Sequence, residues 1–154
     1  MAGRTYLPRK LEFEDLVKLL VQEHAGMHEG LARVRSAAEK HDFQQASKAL
    51  RELDPVFRQH VVDEESTVLR LLISKLGVKR AQEEIKVFQQ HRPIYNLMQT
   101  VIELASKSEG ELMAEQARLG ALFVHHTVAE EEQVFPKAVD CYRGTRRPET
   151  GTPG

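Results

Sequence analysis

The chain has 154 residues, enough for one domain with a core of its own. Its 22 Lys and Arg nearly balance 23 Asp and Glu, for a net charge of −1, so no strong field draws nucleic acid or an anionic membrane. One cysteine, Cys141, excludes an intrachain disulfide, and no apolar run approaches the roughly 20 residues of a membrane span.

Leu, Ala, Glu, Lys, Arg and Gln dominate, which favours helix. The first residues lack the apolar stretch of a signal peptide, so a reducing cytoplasm is the expected location. Residues 1–11 hold Pro8 and basic neighbours without periodicity and read as an arm. A first helix is predicted from about Glu12 to Lys40. Phe13, Leu16, Leu20, Met27, Leu31, Val34 and Ala38 recur there at three- and four-residue steps, and His24 and His28 share the stripe. A second helix runs from Asp42, a capping residue, to Leu76, where Gly77 suits a helix end. Its inward face reads Leu50, Leu53, Phe57, His60, Glu64 and Leu71, and Asp54-Pro55 predicts a kink or a restart capped by Asp54.

The third helix is expected over Lys79–Lys107 on the stripe Ile85, Phe88, His91, Tyr95, Met98 and Ile102, bent near His91 by Pro93. Ser106 to Gly110 is a polar turn. A fourth helix follows over Glu111–Tyr142, with Leu112, Leu119, Leu122, Phe123, His126, Glu130, Val134 and Ala138 inward. Gly144, Pro148, Gly151, Pro153 and Gly154 make residues 143–154 an expected mobile tail. Four helices of about 40 Å with short connections pack as antiparallel neighbours. The fold class is therefore all-α, an up-down-up-down four-helix bundle over residues 12–142. Strand-like alternation and Gly-rich nucleotide loops are absent from the sequence.

Two segments carry chemistry: His60-x-x-x-Glu64-Glu65 and His126-x-x-x-Glu130-Glu131. Residues four apart lie on one helical face, so each imidazole and its glutamate would meet one ion together. The segments belong to a repeat. One spacing carries His60 onto His126 and Glu64 onto Glu130, and a spacing one residue longer carries Glu23-His24 onto Gln90-His91. Leu53, Val56 and Phe57 likewise match Leu119, Leu122 and Phe123. Two such hairpins related by a pseudo-twofold axis bring four His and two Glu to one level of the core. Buried carboxylates need cations or donors, and imidazoles with carboxylates suit iron, zinc or manganese. The expected arrangement is a pair of ions bridged by the carboxylates and capped by the imidazoles.

This pattern resembles the hemerythrin-like (HHE cation-binding) family of non-haem di-iron proteins, over about residues 12–140. The resemblance rests on His24, His60-x-x-x-Glu64-Glu65, His91, and His126-x-x-x-Glu130-Glu131 with Phe135-Pro136. It implies two iron ions joined by an oxo or hydroxo bridge, with His24, His60, His91 and His126 as terminal ligands and Glu64 and Glu130 as bridges. Oxygen-carrying members have His-x-x-x-His on the third helix, where this chain has His91-x-x-x-Tyr95. His24-x-x-x-His28 supplies a second His on the first helix instead. The expectation is that the three-His iron moves to the other half, with His24, His28 and His60 on one ion and His91 and His126 on the second. Tyr95 would then stand beside the open side of the second ion, as a hydrogen-bond donor to a bound small molecule or as a phenolate ligand. Ferritin-like bundles use Glu-x-x-His, and no His here has a Glu three residues before it.

His125 faces away from the stripe of Phe123, His126 and Glu130 and is the alternative to His126. Glu65, Glu131 and Glu132 are expected on a solvated face or bonded to the ligating imidazoles. Cys141 reads as an incidental thiol, and His41 as an exposed turn residue. The expected function is binding of dioxygen or a related small molecule, for storage, delivery or sensing. The alternatives are a peroxide or nitric oxide enzyme at the same centre and an iron-holding bundle. Neither nucleic acid nor membrane is an expected partner, and no redox partner is identified.

Overall fold

The computed structural model describes residues 5–108 and 110–146. Helix α1 spans Phe13–Glu39, with the Glu12 carboxylate accepting from the Asp15 N–H at its start. Phe13, Leu16, Leu20, Met27, Leu31, Val34 and Ala38 are all buried, together with His24. Helix α2 spans Phe43–Asp63 and is capped by Asp42, whose side chain accepts from the Gln45 N–H.

The chain then makes a π-helical turn over Glu64–Leu69 before α3, Arg70–Arg80. Inside α3, Gly77 breaks the helix at φ 79° and ψ 159°. That φ lies in the left-handed region, where glycine alone carries no Cβ penalty. Helices α4 (Gln82–Gln89) and α5 (His91–Ser106) form the third arm and meet at Gln90. Pro93 has no N–H for the Gln89 carbonyl, which accounts for the break there. Helix α6 spans Leu112–Ala129, a second π-helical turn covers Glu130–Val134, and α7 spans Phe135–Arg146. The elements form four helical arms, with no strand among the described residues.

Four sequence expectations need correction. Helix α2 runs through Pro55 without interruption. Asp54 caps nothing; it accepts from Gln99 Nε2 at 2.9 Å and pairs with Arg58 Nε at 3.0 Å. The carbonyl that Pro55 leaves without its helical partner belongs to Arg51, an exposed residue, so water can serve it. Leu72 is fully buried where Leu71 was expected. A π turn takes one extra residue, which advances every later side chain by one position. On the third arm the buried face reads Glu84, Val87, Phe88, His91, Ile94, Met98, Val101 and Ala105, so Ile85, Tyr95 and Ile102 lie at its edge, half-buried. Finally, residues 143–146 continue α7 rather than beginning a tail. The rest of the expected tail, 147–154, lies outside the described residues.

Residues 5–12 form no regular element but are fastened to the bundle. Asp63, fully buried, accepts from the backbone N–H of Arg9 at 2.8 Å and from its Nε at 2.6 Å. Arg9 Nη2 reaches Glu23 at 2.9 Å, and Gln59 Nε2 donates to the Leu7 carbonyl.

The apolar core is in two parts. One is built by the second half of α1 with α2, α5 and α6, from Met27 to Phe123. The other joins Phe13, Leu16, Val17 and Leu20 to Val68, Leu72, Val87, Phe88, Val134, Phe135 and Ala138. Buried polar side chains from all four arms lie at the level between them. No helix among the described residues is long and apolar enough to cross a membrane.

Candidate metal centre

Each half of the bundle supplies one His from its first arm and a His-x-x-x-Glu pair from its second. His60 ends the ordinary part of α2, and Glu64 opens the π turn after it. His126 and Glu130 occupy the same places on α6 and the second π turn. In both arms the buried side chains then follow at fours: His60, Glu64, Val68, Leu72 and His126, Glu130, Val134, Ala138. A run of fours drifts around an ordinary helix of 3.6 residues per turn. The wider turn at each glutamate absorbs the drift and keeps the series on the core side.

The inner atoms converge tightly. His60 Nε2 lies 2.7 Å from Glu64 Oε1 and 3.0 Å from His24 Nε2. His24 Nε2 lies 3.0 Å from Glu130 Oε1, and His126 Nε2 lies 3.1 Å from the same oxygen. His91 Nε2 stands 3.6 Å from both Glu64 Oε1 and Glu130 Oε2. Two overlapping groups result, His24, His60, Glu64, Glu130 and Glu64, His91, His126, Glu130, each with ligand atoms within 4.8 Å of one another. Both groups are buried, and both contain both glutamates.

The outer nitrogen of every ring has an acceptor. His24 Nδ1 faces Glu131 at 3.3 Å, His60 Nδ1 faces Glu23 at 3.0 Å, His91 Nδ1 faces Glu65 at 3.5 Å, and His126 Nδ1 faces Gln90 Oε1 at 2.9 Å. A ring that donates from Nδ1 turns the lone pair of Nε2 inward.

These atoms fit metal ions better than they fit one another. Both carboxylate oxygens of Glu64 and of Glu130, and His91 Nε2, are buried without a hydrogen-bond partner among the described residues. Several imidazole nitrogens stand within contact distance of these oxygens, yet their directions do not make hydrogen bonds. Leaving such oxygens unsatisfied costs several kcal/mol each, which a shared cation removes. The family model of the hemerythrin HHE cation-binding domain matches residues 15–138.

The chain belongs to that family. Neither a curated protein nor a solved structure matches it. A metal-binding domain is thus shown by the family together with the buried His and Glu groups.

The electrostatics of this HHE domain differ between the halves. Burial works against a charged His60, but Glu64 and Glu23 outweigh it and push the ring up to about 9. Burial likewise opposes a charged His91, and Glu64 and Glu65 prevail. His126 is pushed down to about 3 by burial and by the nearby His91. His24 is lowered by burial and by His60. Burial raises Glu64, but His60 and His91 hold it well below the usual carboxylate range.

Six of the seven expected ligands meet in the two groups: His24, His60, Glu64, His91, His126 and Glu130. His28 does not. Its Nε2 lies 3.0 Å from Thr127 Oγ1, turned to that hydroxyl and away from the two groups. The group on that side of the centre therefore gathers two imidazoles, His24 and His60, where three were expected. Tyr95 also stands outside both groups; its hydroxyl accepts from Arg58 Nη2 at 2.9 Å. His125 is exposed. Sequence reasoning used Glu23 and Gln90 only as markers of the repeat and gave them no part in the site. Their place beside His24 and His91 was the available signal, but their bonds cross to the neighbouring arm, which spacing along one helix does not report.

Proposed function

We propose that this HHE domain holds two iron ions, each capped by one His pair and both bridged by Glu64 and Glu130, and that it binds dioxygen or a related small molecule for storage, delivery or sensing in the cytoplasm. The observation that carries the reading is the sharing of both buried carboxylates by the two His pairs. Held by His24, His60, His91, His126, Glu64 and Glu130, an iron pair would supply reversible electron transfer to a small ligand. The protein's own part is to fix, shield and admit. Glu131, Glu23, Glu65 and Gln90 hold the rings in one tautomer. Phe135 stacks on His24 at 5.7 Å between ring centroids, and Phe88 and Phe57 meet His91 edge-on at 5.4 and 6.4 Å. These walls keep bulk water off the inner nitrogens.

His91 also lines a groove of about 670 Å³ with Phe57, Phe88, Tyr95, Arg58 and Tyr6. A small molecule entering there meets the His91 side of the centre first. That groove also favours a second reading, turnover of peroxide or nitric oxide. The Tyr95 hydroxyl and the Arg58 guanidinium stand in it, suited to bonding a polar ligand.

Metal analysis of the purified chain comes first, and two iron per chain is expected. Substoichiometric iron with zinc in its place would sink the proposal. Anaerobic reduction followed by air should then give a stable charge-transfer spectrum that reverses when oxygen is removed. Dioxygen release from added peroxide, lost in Glu64→Ala, would select the enzyme instead.

A further inference from the structure

The outer ring of acceptors repeats almost perfectly across the pseudo-twofold axis. His24 with Glu131 at 3.3 Å mirrors His91 with Glu65 at 3.5 Å, carboxylate for carboxylate. His60 with Glu23 at 3.0 Å mirrors His126 with Gln90 at 2.9 Å, and here the geometry is kept while the charge is not. Glu23 is held from behind by Arg9, whose Nη2 reaches its two oxygens at 2.9 and 3.0 Å while its Nε and backbone N–H grip Asp63. The carboxylate therefore has a fixed position with one oxygen aimed at the ring. An anionic acceptor on Nδ1 draws the N–H proton and pushes electron density to Nε2, which makes a stronger ligand than an amide acceptor allows.

Resting on the two-iron reading above, we infer that Glu23 makes the two metal positions unequal: the ion held by His24 and His60 is bound more tightly than the ion held by His91 and His126. Glu23 acts here as a positioning residue, through His60, and Arg9 keeps it in register. The weaker position is the one beside the groove lined by His91, Tyr95 and Arg58. The more exchangeable ion is therefore also the one a small ligand reaches first.

The experiment is an anaerobic titration of the full, metal-free chain with ferrous iron against a competing chelator. The wild type should take two ions in two separate steps. Glu23→Gln, which keeps the side chain's shape, should weaken the first step by about 10- to 100-fold, the usual size of such outer effects, and leave the second unchanged. Gln90→Glu should strengthen the second step by a similar factor. The double exchange Glu23→Gln with Gln90→Glu should restore two separate steps with the order of filling reversed. His126→Gln tells the orders apart, because it should spare the tight step in the wild-type background and remove it in the double exchange. Two ions taken up in indistinguishable steps, or steps unmoved in Glu23→Gln, would overturn this inference alone. Fewer than two ions on the wild type would overturn the two-iron reading and this inference with it. Thermal unfolding of the metal-free variants, expected within a few degrees of the wild type, separates a lost acceptor from a lost fold.

Discussion

His60 and His126 occupy mirror positions, yet in the metal-free chain near neutral pH the first ring is charged and the second is not. The folded pKa of His60 is about 9, against roughly 6.5 when unfolded. Its contribution to stability is therefore fully present below pH 6.5 and is lost as pH rises through 9. His126 works the other way. With a folded value of about 3, it stays neutral where the unfolded ring takes up a proton, so stability falls as pH drops from 6.5 toward 3. Glu64, held low, adds to the acid loss once pH passes below its unfolded value of about 4.3. The metal-free chain should be most stable near pH 6.5, losing stability toward pH 9 through His60 and toward acid through His126, and urea unfolding across a pH series measures this. A flat profile between pH 6.5 and 4.5 would contradict the assignment of a neutral His126. At this scale the sequence was informative where residues repeat: His24, His60, Glu64, His91, His126 and Glu130 are legible from spacing alone. Symmetry also pointed to His28 and Tyr95 as unlike positions, but not to what each does. His28 is turned to Thr127 and Tyr95 to Arg58 by contacts between arms, which no periodicity along one helix encodes.

The π turns show what an element adds to its residues. Helical periodicity located all four arms and their caps at Asp42 and Gly77. It could not place the extra residue in each wide turn, because a π turn and an α turn draw on the same side-chain types. The consequence is a testable exchange of roles between neighbours. Leu72 is fully buried against the Val68 and Val134 cluster, while Leu71 only packs on its edge. Leu72→Ala should cost about 2–5 kcal/mol, the range for a fully buried leucine, and Leu71→Ala clearly less. Chemical denaturation of the two variants decides it, and the reverse order would mean that the second arm keeps α register through Glu64. Each π turn also starts on a glutamate of the centre, so the irregular backbone is spent where a carboxylate must be aimed. Pro136 follows the second wide turn and has no N–H to continue an α ladder there.

At the scale of the molecule, the layer of buried His and Glu side chains divides the core unequally. Among the described residues, the larger apolar cluster has 17 buried members and the smaller has 11. The smaller end is also where the irregular segments gather: both π turns and the break at Gly77. A cation held at Glu64 and Glu130 would tie the π turns to His24 and His91 on the other arms and so fasten this end to the rest. An ion that binds only the folded state stabilises by about 4 kcal/mol at a thousandfold excess over its dissociation constant. Removing it returns unpartnered carboxylate oxygens to the layer between the clusters. The loss should not spread evenly, since local opening starts where buried apolar contact is least. Hydrogen exchange before and after chelation provides the measurement. The amides of Val68, Leu72, Val134 and Ala138 should speed up far more than those of Leu50 and Val101, which lie in the larger cluster. Equal acceleration in both clusters would show a single cooperative core in which the ions stabilise every part alike. Unequal acceleration would mean that the centre, besides holding its ligand, fixes the end of the bundle that carries its own glutamates.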